Sequence, residues 1–282
     1  MRITFLGTSS ATSYPLAFCN CENCAKARET GGKNFRKRSS IIINDDLLVD
    51  MGPDVMTAAC MYNKPLTNVR YWLQTHSHSD HFDPSMLSTR APEFNGVDIA
   101  TLHLAASDST LRKMSEMLAN EGYVSDLLNK ADQQRLKLDV SAIDAYQTIR
   151  IGKYIVTAFP ANHDSSVNSL LYAITENGYT LFYGTDTDVL SEEIWKEFHQ
   201  KNLQFNVVIL DHTYGPVIEG YGHLNSGKFV EHIQRMKAER LVNRNSKIFA
   251  THISHEGNPP HAILSETAAK QCYEIAYDGL VI

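Results

Sequence analysis

The chain has 282 residues, is 43% hydrophobic, and carries a formal net charge of −6, with 32 Asp and Glu against 26 Lys and Arg. That length suits one large globular domain or two small ones, and the acidic balance argues against a broad basic surface for nucleic acid. The opening MRITFLGTSS lacks an apolar run of signal-peptide length and no later run reaches the ~18 residues of a membrane span, so a cytoplasmic protein outside the membrane is expected.

In chain order, ITFLG, SIIIN and LLVDMG read as short strands, the last two joined in a hairpin at Asn44-Asp45-Asp46. Between them lie CNCENC and a small basic run, Lys33, Arg36, Lys37 and Arg38, of the kind found on solvated loops or near a phosphate. The five cysteines, at 19, 21, 24, 60 and 272, are odd in number and gathered at one end. In a reducing compartment disulfides are disfavoured, which turns CNCENC toward metal. DVMTAACMY has helical spacing, VRYWLQT is a strand, and THSHSDHFDP follows it. After the strand-like ATLHLAA comes a polar region, about 108 to 136, whose LRKMSEMLANEGY and DLLNKADQQRLKL segments predict a helical insertion. The second half repeats the grammar: strands YIVTAF, SLLYAIT and YTLFYG, helix EEIWKEFHQ, strand FNVVIL, a helix over about 226 to 239, strand KIFATHI, and a last helix near ILSETAAKQC. Two runs of strands followed by helices predict sheets packed face to face with helices outside.

A single histidine is ordinarily a surface or satisfied core residue. That reading fails for His76, His78, Asp80 and His81 together. In extended chain, positions 76 and 78 point to the same side, so both imidazoles can reach one cation, and the turn that follows can aim Asp80 and His81 at a second. Two adjacent metals can share a hydroxide formed near neutral pH and neutralise a developing oxyanion, which is hydrolytic chemistry. Four side chains are too few for two ions. His163 in FPANHD, Asp186 in FYGTDTD and His252 in FATHIS, each at the end of a predicted strand, are the candidates for the remainder.

This order, His-x-His-x-Asp-His followed by isolated His, Asp and His at later strand ends, resembles the metallo-β-lactamase-fold hydrolases over nearly the whole chain. The resemblance implies a single αββα sandwich domain over 1–282. It also implies that His76, His78 and His163 bind one metal, that Asp80, His81 and His252 bind the other, and that Asp186 bridges them. FLGTSSATSYP, RKRSSIII and LLVDMGPD are similar to the branch holding tRNase Z and the PhnP-type phosphoribosyl cyclic phosphodiesterases of phosphonate breakdown. CNCENC favours the second. In PhnP-type enzymes such a loop is completed by a histidine three residues past the last catalytic-site histidine, so the resemblance gives Cys19, Cys21, Cys24 and His255 to a structural zinc. The pyrroloquinoline quinone biosynthesis protein has a similar N-terminus but a degenerate histidine motif, and tRNase Z has a long Gly/Pro-rich arm that this chain lacks. A secreted β-lactamase needs a signal peptide, and a lactonase does not usually carry the zinc loop.

Spacing alone would make His223, in GYGHLNSGKF, a residue near a helix start. Matched to the family, it falls at the histidine held near the departing oxygen, and it is assigned general acid, with Asp80 as its helper or as orienter of the hydroxide. His103, His199, His212, His232 and His261 follow no pattern; only His212, at a strand end, stays under consideration. No aromatic platform for bases is evident. The expected reaction is opening of a small cyclic phosphodiester, with 5-phosphoribosyl 1,2-cyclic phosphate as first candidate. The alternatives are cyclic nucleotides or RNA ends as substrates, or a non-catalytic metal protein of cofactor biosynthesis. Zn²⁺, Mn²⁺ or Fe²⁺ would suit the paired site. A homodimer is the default assembly.

Overall fold

The computed structural model describes residues 1–95, 98–122, 124–216 and 218–282. Its first half builds a six-stranded sheet from β1 (Ile3–Gly7), β2 (Ser40–Ile43), β3 (Leu47–Val49), β4 (Tyr71–Leu73), β5 (Leu102–Ala106) and β6 (Leu138–Ala142), neighbours in that order. The second half builds a seven-stranded sheet from β7 (Thr148–Ile151), β8 (Tyr154–Pro160), β9 (Leu170–Glu176), β10 (Tyr179–Gly184), β11 (Val207–Asp211), β12 (Lys247–Thr251) and β13 (Glu274–Ile275). The hairpin expected at Asn44-Asp45-Asp46 joins β2 and β3, and both Asn44 and Asp45 take the positive φ that a tight turn requires.

The period of two along each strand separates the layers. Ile41, Ile43, Leu47 and Val49 point inward, where they meet Val156, Tyr172, Leu181, Val207 and Ile209 of the facing sheet. Their neighbours Ile42 and Leu48 turn outward under α2 (Val55–Met61) and α3 (Asp108–Asn120), onto Val55, Leu111, Met114 and Leu118. Across the molecule Phe182, Val208 and Leu210 turn outward onto Trp195 and Phe198 of α5 (Glu192–Gln200), Phe229 and Ile233 of α6 (Ser226–Ala238), and Leu264 of α7 (His261–Lys270). The result is the αββα sandwich. Each fully buried Val, Leu, Ile or Phe of these layers contributes about 1.5–3 kcal/mol relative to exposure.

Residues 108–136, expected as a helical insertion, carry α3 and the short α4 (Lys130–Arg135) within the crossover from β5 to its parallel neighbour β6. The helix read through DLLNKADQQRLKL stops short of its end: Leu138 already belongs to β6, and Lys137 turns the chain with positive φ. β6, β7 and α1 (Glu22–Thr30) had no counterpart in the sequence reading. Most residues of β6 and β7 are solvent-facing or half-buried, so they lack the apolar alternation that betrays a strand. No helix among the described residues is long and apolar enough to cross a membrane.

Candidate metal centre

Five chain segments leave the sandwich along one edge. β4 runs into the His76–His81 loop, β8 into His163, β10 into Asp186, β11 into the segment that carries His223, and β12 into His252. β10, β11 and β12 are mutually parallel, and β8 shares their direction because two antiparallel pairings separate it from β10, so all four strands end on the same side. Among the bonds that tie the first sheet to this edge, Leu170 N–H donates to the Thr75 carbonyl at 3.0 Å, and the Tyr172 hydroxyl to the Gln74 carbonyl at 2.8 Å.

Gln74 shapes the histidine loop. Its amide nitrogen donates to the carbonyls of His76 (2.9 Å) and His81 (2.8 Å), while its oxygen accepts from Met51 N–H (3.1 Å) and the Trp72 indole (3.0 Å). A buried amide satisfied in this way fixes the loop it brackets. Gly52 lies so close that a Cβ there would overlap the Asp80 carbonyl. Asp50, Asp186 and His252 all adopt positive φ, near 63°, 51° and 59°. Left-handed backbone is unfavourable for residues with a Cβ, and it gathers where side chains must be aimed.

The hydrogen bonds set the histidine tautomers. His81 Nδ1 donates to Asp50 at 2.7 Å, and His163 Nδ1 donates to the Gly222 carbonyl at 3.0 Å. The Thr75 hydroxyl is already committed to Asp50, so at 2.9 Å it accepts from His76 Nδ1. His252 Nδ1 lies 2.7 Å from the Thr213 hydroxyl. In each of these four rings Nδ1 is engaged away from the cluster and Nε2 faces inward. His78 presents Nδ1 instead, 3.1 Å from His163 Nε2, while its own Nε2 faces Asp164 at 3.3 Å.

The inward atoms fall into two groups, His76 with His78 and His163, and Asp80 with His81, Asp186 and His252; within each group they lie within 4.8 Å of one another. Nε2 of His81 is 3.2 Å from both His252 Nε2 and Asp80 Oδ2. Bonds of ~2.0–2.1 Å to one tetrahedral ion would set such donors roughly 3.3 Å apart. Asp186 stands between the groups, with Oδ2 3.2 Å from His76 Nε2 and 2.8 Å from His81 Nε2, and Oδ1 3.0 Å from His252 Nε2. His76 Nε2 and Asp186 Oδ1 are buried and make no hydrogen bond.

Charge points the same way. Asp50, Asp80, Asp186 and Asp211 are each at most 5% exposed, and among the described residues none has a Lys or Arg within ion-pairing distance. Buried carboxylates are costly unless paired, and here imidazoles or cations must do it. Burial opposes ionisation of Asp186, yet His252 and His81 hold its carboxyl well below the usual range. Burial likewise opposes charge on His252, yet Asp186 lifts it to about 10, and Asp80 with Asp186 raises His81 well above an ordinary imidazole. Burial lowers His76 and His163. Divalent cations fit this donor set.

His223 lies beside the second group. Its Nδ1 is 2.9 Å from Asp211 and 3.2 Å from the Thr213 hydroxyl, and its ring stacks on His252 at 5.3 Å. Burial opposes its charging, but Asp211 raises it above the ordinary value. The carboxylate against His223 is thus Asp211 and not Asp80, which the loop turns toward His81 and His252 instead. A cavity of about 230 Å³ opens over the centre, lined by His78, Asp80, His163, Asp186, His223 and His252 with Ser10, Thr12, Tyr214 and Ser254 around them.

Asp50, Gln74 and Asp211 were missed by sequence reasoning. Asp50 and Asp211 each end a strand, but neither has a ligand-like spacing to its neighbours. His212 is a fully buried strut: Nδ1 donates to Asn258 at 3.0 Å, and Nε2 faces the hydroxyls of Tyr273 (3.2 Å) and Ser226 (2.9 Å). Of the basic run Lys33 is exposed, as on a solvated loop, Lys37 and Arg38 are half-buried, and Arg36 departs from that expectation. Arg36 is buried on Thr8, the Ala276 carbonyl and His261, Lys37 pairs with Asp278, Arg38 with Asp54, and Lys33 lies over the Tyr277 ring.

Cys19, Cys21, Cys24 and His255 form a separate cluster, their donor atoms also within 4.8 Å of one another. His255 Nδ1 is 3.6 Å from the Cys21 sulfur and 3.8 Å from that of Cys19. Backbone N–H groups point at the sulfurs: Leu16 at Cys24 (3.4 Å), Cys24 at Cys21 (3.5 Å) and Cys21 at Cys19 (3.5 Å). Burial opposes ionisation of the Cys21 thiol, but the Cys24 N–H and His255 bring it down to about 6, whereas burial pushes Cys24 up to about 11. Zinc, which binds thiolates, suits this set.

Comparison with known proteins agrees with the architecture. No curated protein matches the chain by sequence. Among solved structures, a diphosphatase from the PhnP family aligns at a TM-score of 0.71 with 19% identity, covering 100% of this chain and 96% of its own. Zn²⁺-bound PqqB from Methylobacterium extorquens aligns at 0.72 with 16% identity, covering 100% and 99%, and the short form of human tRNase Z at 0.63 with 17% identity, covering 100% and 98%. Residues 46–243 match the model of the beta-lactamase superfamily domain. With that match over most of its length and a metal-type donor set at the edge of an αββα sandwich, the chain belongs to the metallo-β-lactamase fold superfamily.

Proposed function

We propose that the protein is a metal-dependent hydrolase that opens a small cyclic phosphodiester, of the class to which 5-phosphoribosyl 1,2-cyclic phosphate belongs. The observation that carries this reading is the junction at Asp186, one carboxylate shared between two groups of inward-facing donors. His76, His78 and His163 would hold one divalent cation, and Asp80, His81 and His252 the other, with Asp186 common to both. When bound, such a pair supplies an activated water near neutral pH and positive charge for the developing oxyanion.

The chain's own residues do the rest. Asp50, Thr75, Thr213 and the Gly222 carbonyl lock four imidazoles with Nε2 inward, so the donor set needs little rearrangement. Asp211 on Nδ1 of His223 fixes that ring and stabilises its protonated form, which leaves Nε2 to carry a proton at the cavity. As the bond from phosphorus to the leaving oxygen breaks, that proton can pass to the departing alkoxide. The cavity's volume, about 230 Å³, suits a small substrate, since drug-sized ligands occupy roughly 300–1,000 Å³. The names of two similar structures, a PhnP-family diphosphatase and tRNase Z, support phosphoester chemistry over other hydrolysis.

The test is metal analysis of the protein as isolated, paired with hydrolysis of bis(p-nitrophenyl) phosphate and a set of cyclic phosphates. Wild type should hydrolyse both, while Asp186→Ala should lose catalytic metal and at least ~10³-fold in rate. Tight metal binding without turnover would instead favour a non-catalytic binding protein, the reading to which the likeness to PqqB lends weight.

A further inference from the structure

A second and larger cavity, about 590 Å³, adjoins the metal centre and shares His163 with it. It runs between the start of α3, the segment after β6 and the loop from β8 to β9. Among the described residues that line it none is Lys or Arg, while three are Asp: Asp108, Asp144 and Asp164. Asp108 is engaged by Arg112 (2.7 Å) and Asp164 faces His78 (3.3 Å). Asp144 and Asn168 are exposed, and neither side chain has a protein partner among the described residues. Deeper in the wall, the Ser169 hydroxyl is buried and makes no hydrogen bond.

We propose that this groove receives the unreacted part of the substrate and that this part is an uncharged sugar rather than one bearing a second phosphate, an assignment that rests on the phosphodiester reading above. The unused groups are of mixed type. Asn168 both donates and accepts, Ser169 does the same, and Asp144 accepts only. A polyol satisfies such a set, because each hydroxyl is itself donor and acceptor. A phosphate is acceptor-only and would meet the exposed Asp144 and Asp164 with no Lys or Arg in the wall to offset them; two like charges about 4 Å apart repel by about 1 kcal/mol even in water. The groove thereby narrows the substrate class within cyclic phosphodiesters toward those whose sugar carries no other phosphate, and so away from 5-phosphoribosyl 1,2-cyclic phosphate itself.

The test is calorimetric binding of ribose 1-phosphate and ribose 1,5-bisphosphate to the zinc-loaded protein, with bis(p-nitrophenyl) phosphate turnover by wild type measured alongside. Wild type should bind ribose 1-phosphate about tenfold more tightly than the bisphosphate. Asp144→Lys should erase or reverse that ratio, and Asn168→Ala should weaken ribose 1-phosphate about threefold to tenfold. Equal or tighter binding of the bisphosphate by wild type, an unchanged ratio in Asp144→Lys, or no binding of either ligand overturns the proposal. The expected preference without any turnover supports the groove assignment and instead removes the phosphodiesterase reading.

Discussion

Asp50 touches no substrate in this scheme, yet three of its bonds converge on the histidine loop: His81 Nδ1 at 2.7 Å, Thr75 N–H at 2.7 Å and the Thr75 hydroxyl at 2.8 Å. Through Thr75 it also sets the tautomer of His76. Asp50→Asn should therefore weaken metal binding by roughly 10–100-fold, measured by competition with a chromogenic chelator, while the fold persists; an unchanged affinity would strip Asp50 of its positioning role. Asp211 stands to His223 as Asp50 does to His81. If His223 protonates the leaving oxygen, His223→Ala should cost roughly 10²–10⁴-fold on an alkyl or ribosyl phosphodiester and much less on a p-nitrophenyl ester, whose phenolate departs unaided. Asp211→Asn should follow the same leaving-group trend with a smaller loss. Equal losses on both esters, with metal content intact, would make His223 a phosphate-binding group.

At the scale of elements, the cysteine loop fastens the segment that carries His252. Cys21 caps α1, accepting from the Cys24 N–H, and His255 reaches it from the segment after β12, three residues past His252 and next to Ser254 in the cavity wall. The Asn23 amide adds a 2.9 Å bond to the His255 carbonyl. Closed thiolate sites contribute folding energy outright. Cys21→Ser should thus lower zinc content by about one equivalent and the melting temperature by several degrees, with a smaller effect on turnover; full zinc content and an unshifted melting curve would show that the loop is not a metal site.

For the whole molecule, stability is tied to what balances its buried charge and to pH. Four buried carboxylates meet at the seam of the two sheets, so chelation should lower the melting temperature reversibly, by an amount that grows with metal concentration as linkage requires. A chelator-insensitive melt would mean that the imidazoles alone suffice. His212 sets a second dependence. Burial pushes its pKa down to about 4, against about 6.5 in an unfolded chain. The folded form thus resists protonation, and the stability that neutral His212 represents is present above pH ~6.5 and is lost as pH falls toward 4. At pH 5 the loss is about 2 kcal/mol. Denaturant unfolding at pH 7.5 and 5 should show a steeper decline for wild type than for His212→Gln, and parallel declines would assign the acid sensitivity elsewhere.

Local pattern carried much of this protein. The His-x-His-x-Asp-His run and the cysteine triplet are legible because donors to one ion must sit close, and some do so within a single loop. Strands such as β2, β10 and β11 are legible because both their faces are buried, leaving apolar runs bounded by turn residues. The isolated His163, Asp186 and His252 stood out only as polar residues at predicted strand ends, and the order in which a known family spaces them was needed to assign their roles. Partnership across the fold had no such trace. Asp50 against His81, Asp211 against His223, and Gln74 against the loop it brackets depend on strand register and on the meeting of two sheets, neither of which any short stretch of sequence encodes. The same holds for the basic run, whose Arg36 is buried only because the chain's last residues fold back over it, and for the groove beside His163, whose walls come from three separated segments. Residue type and spacing determined which atoms can bind a cation; only tertiary packing decided which carboxylate holds each ring and what surrounds the reacting bond, because those contacts join positions far apart in the chain.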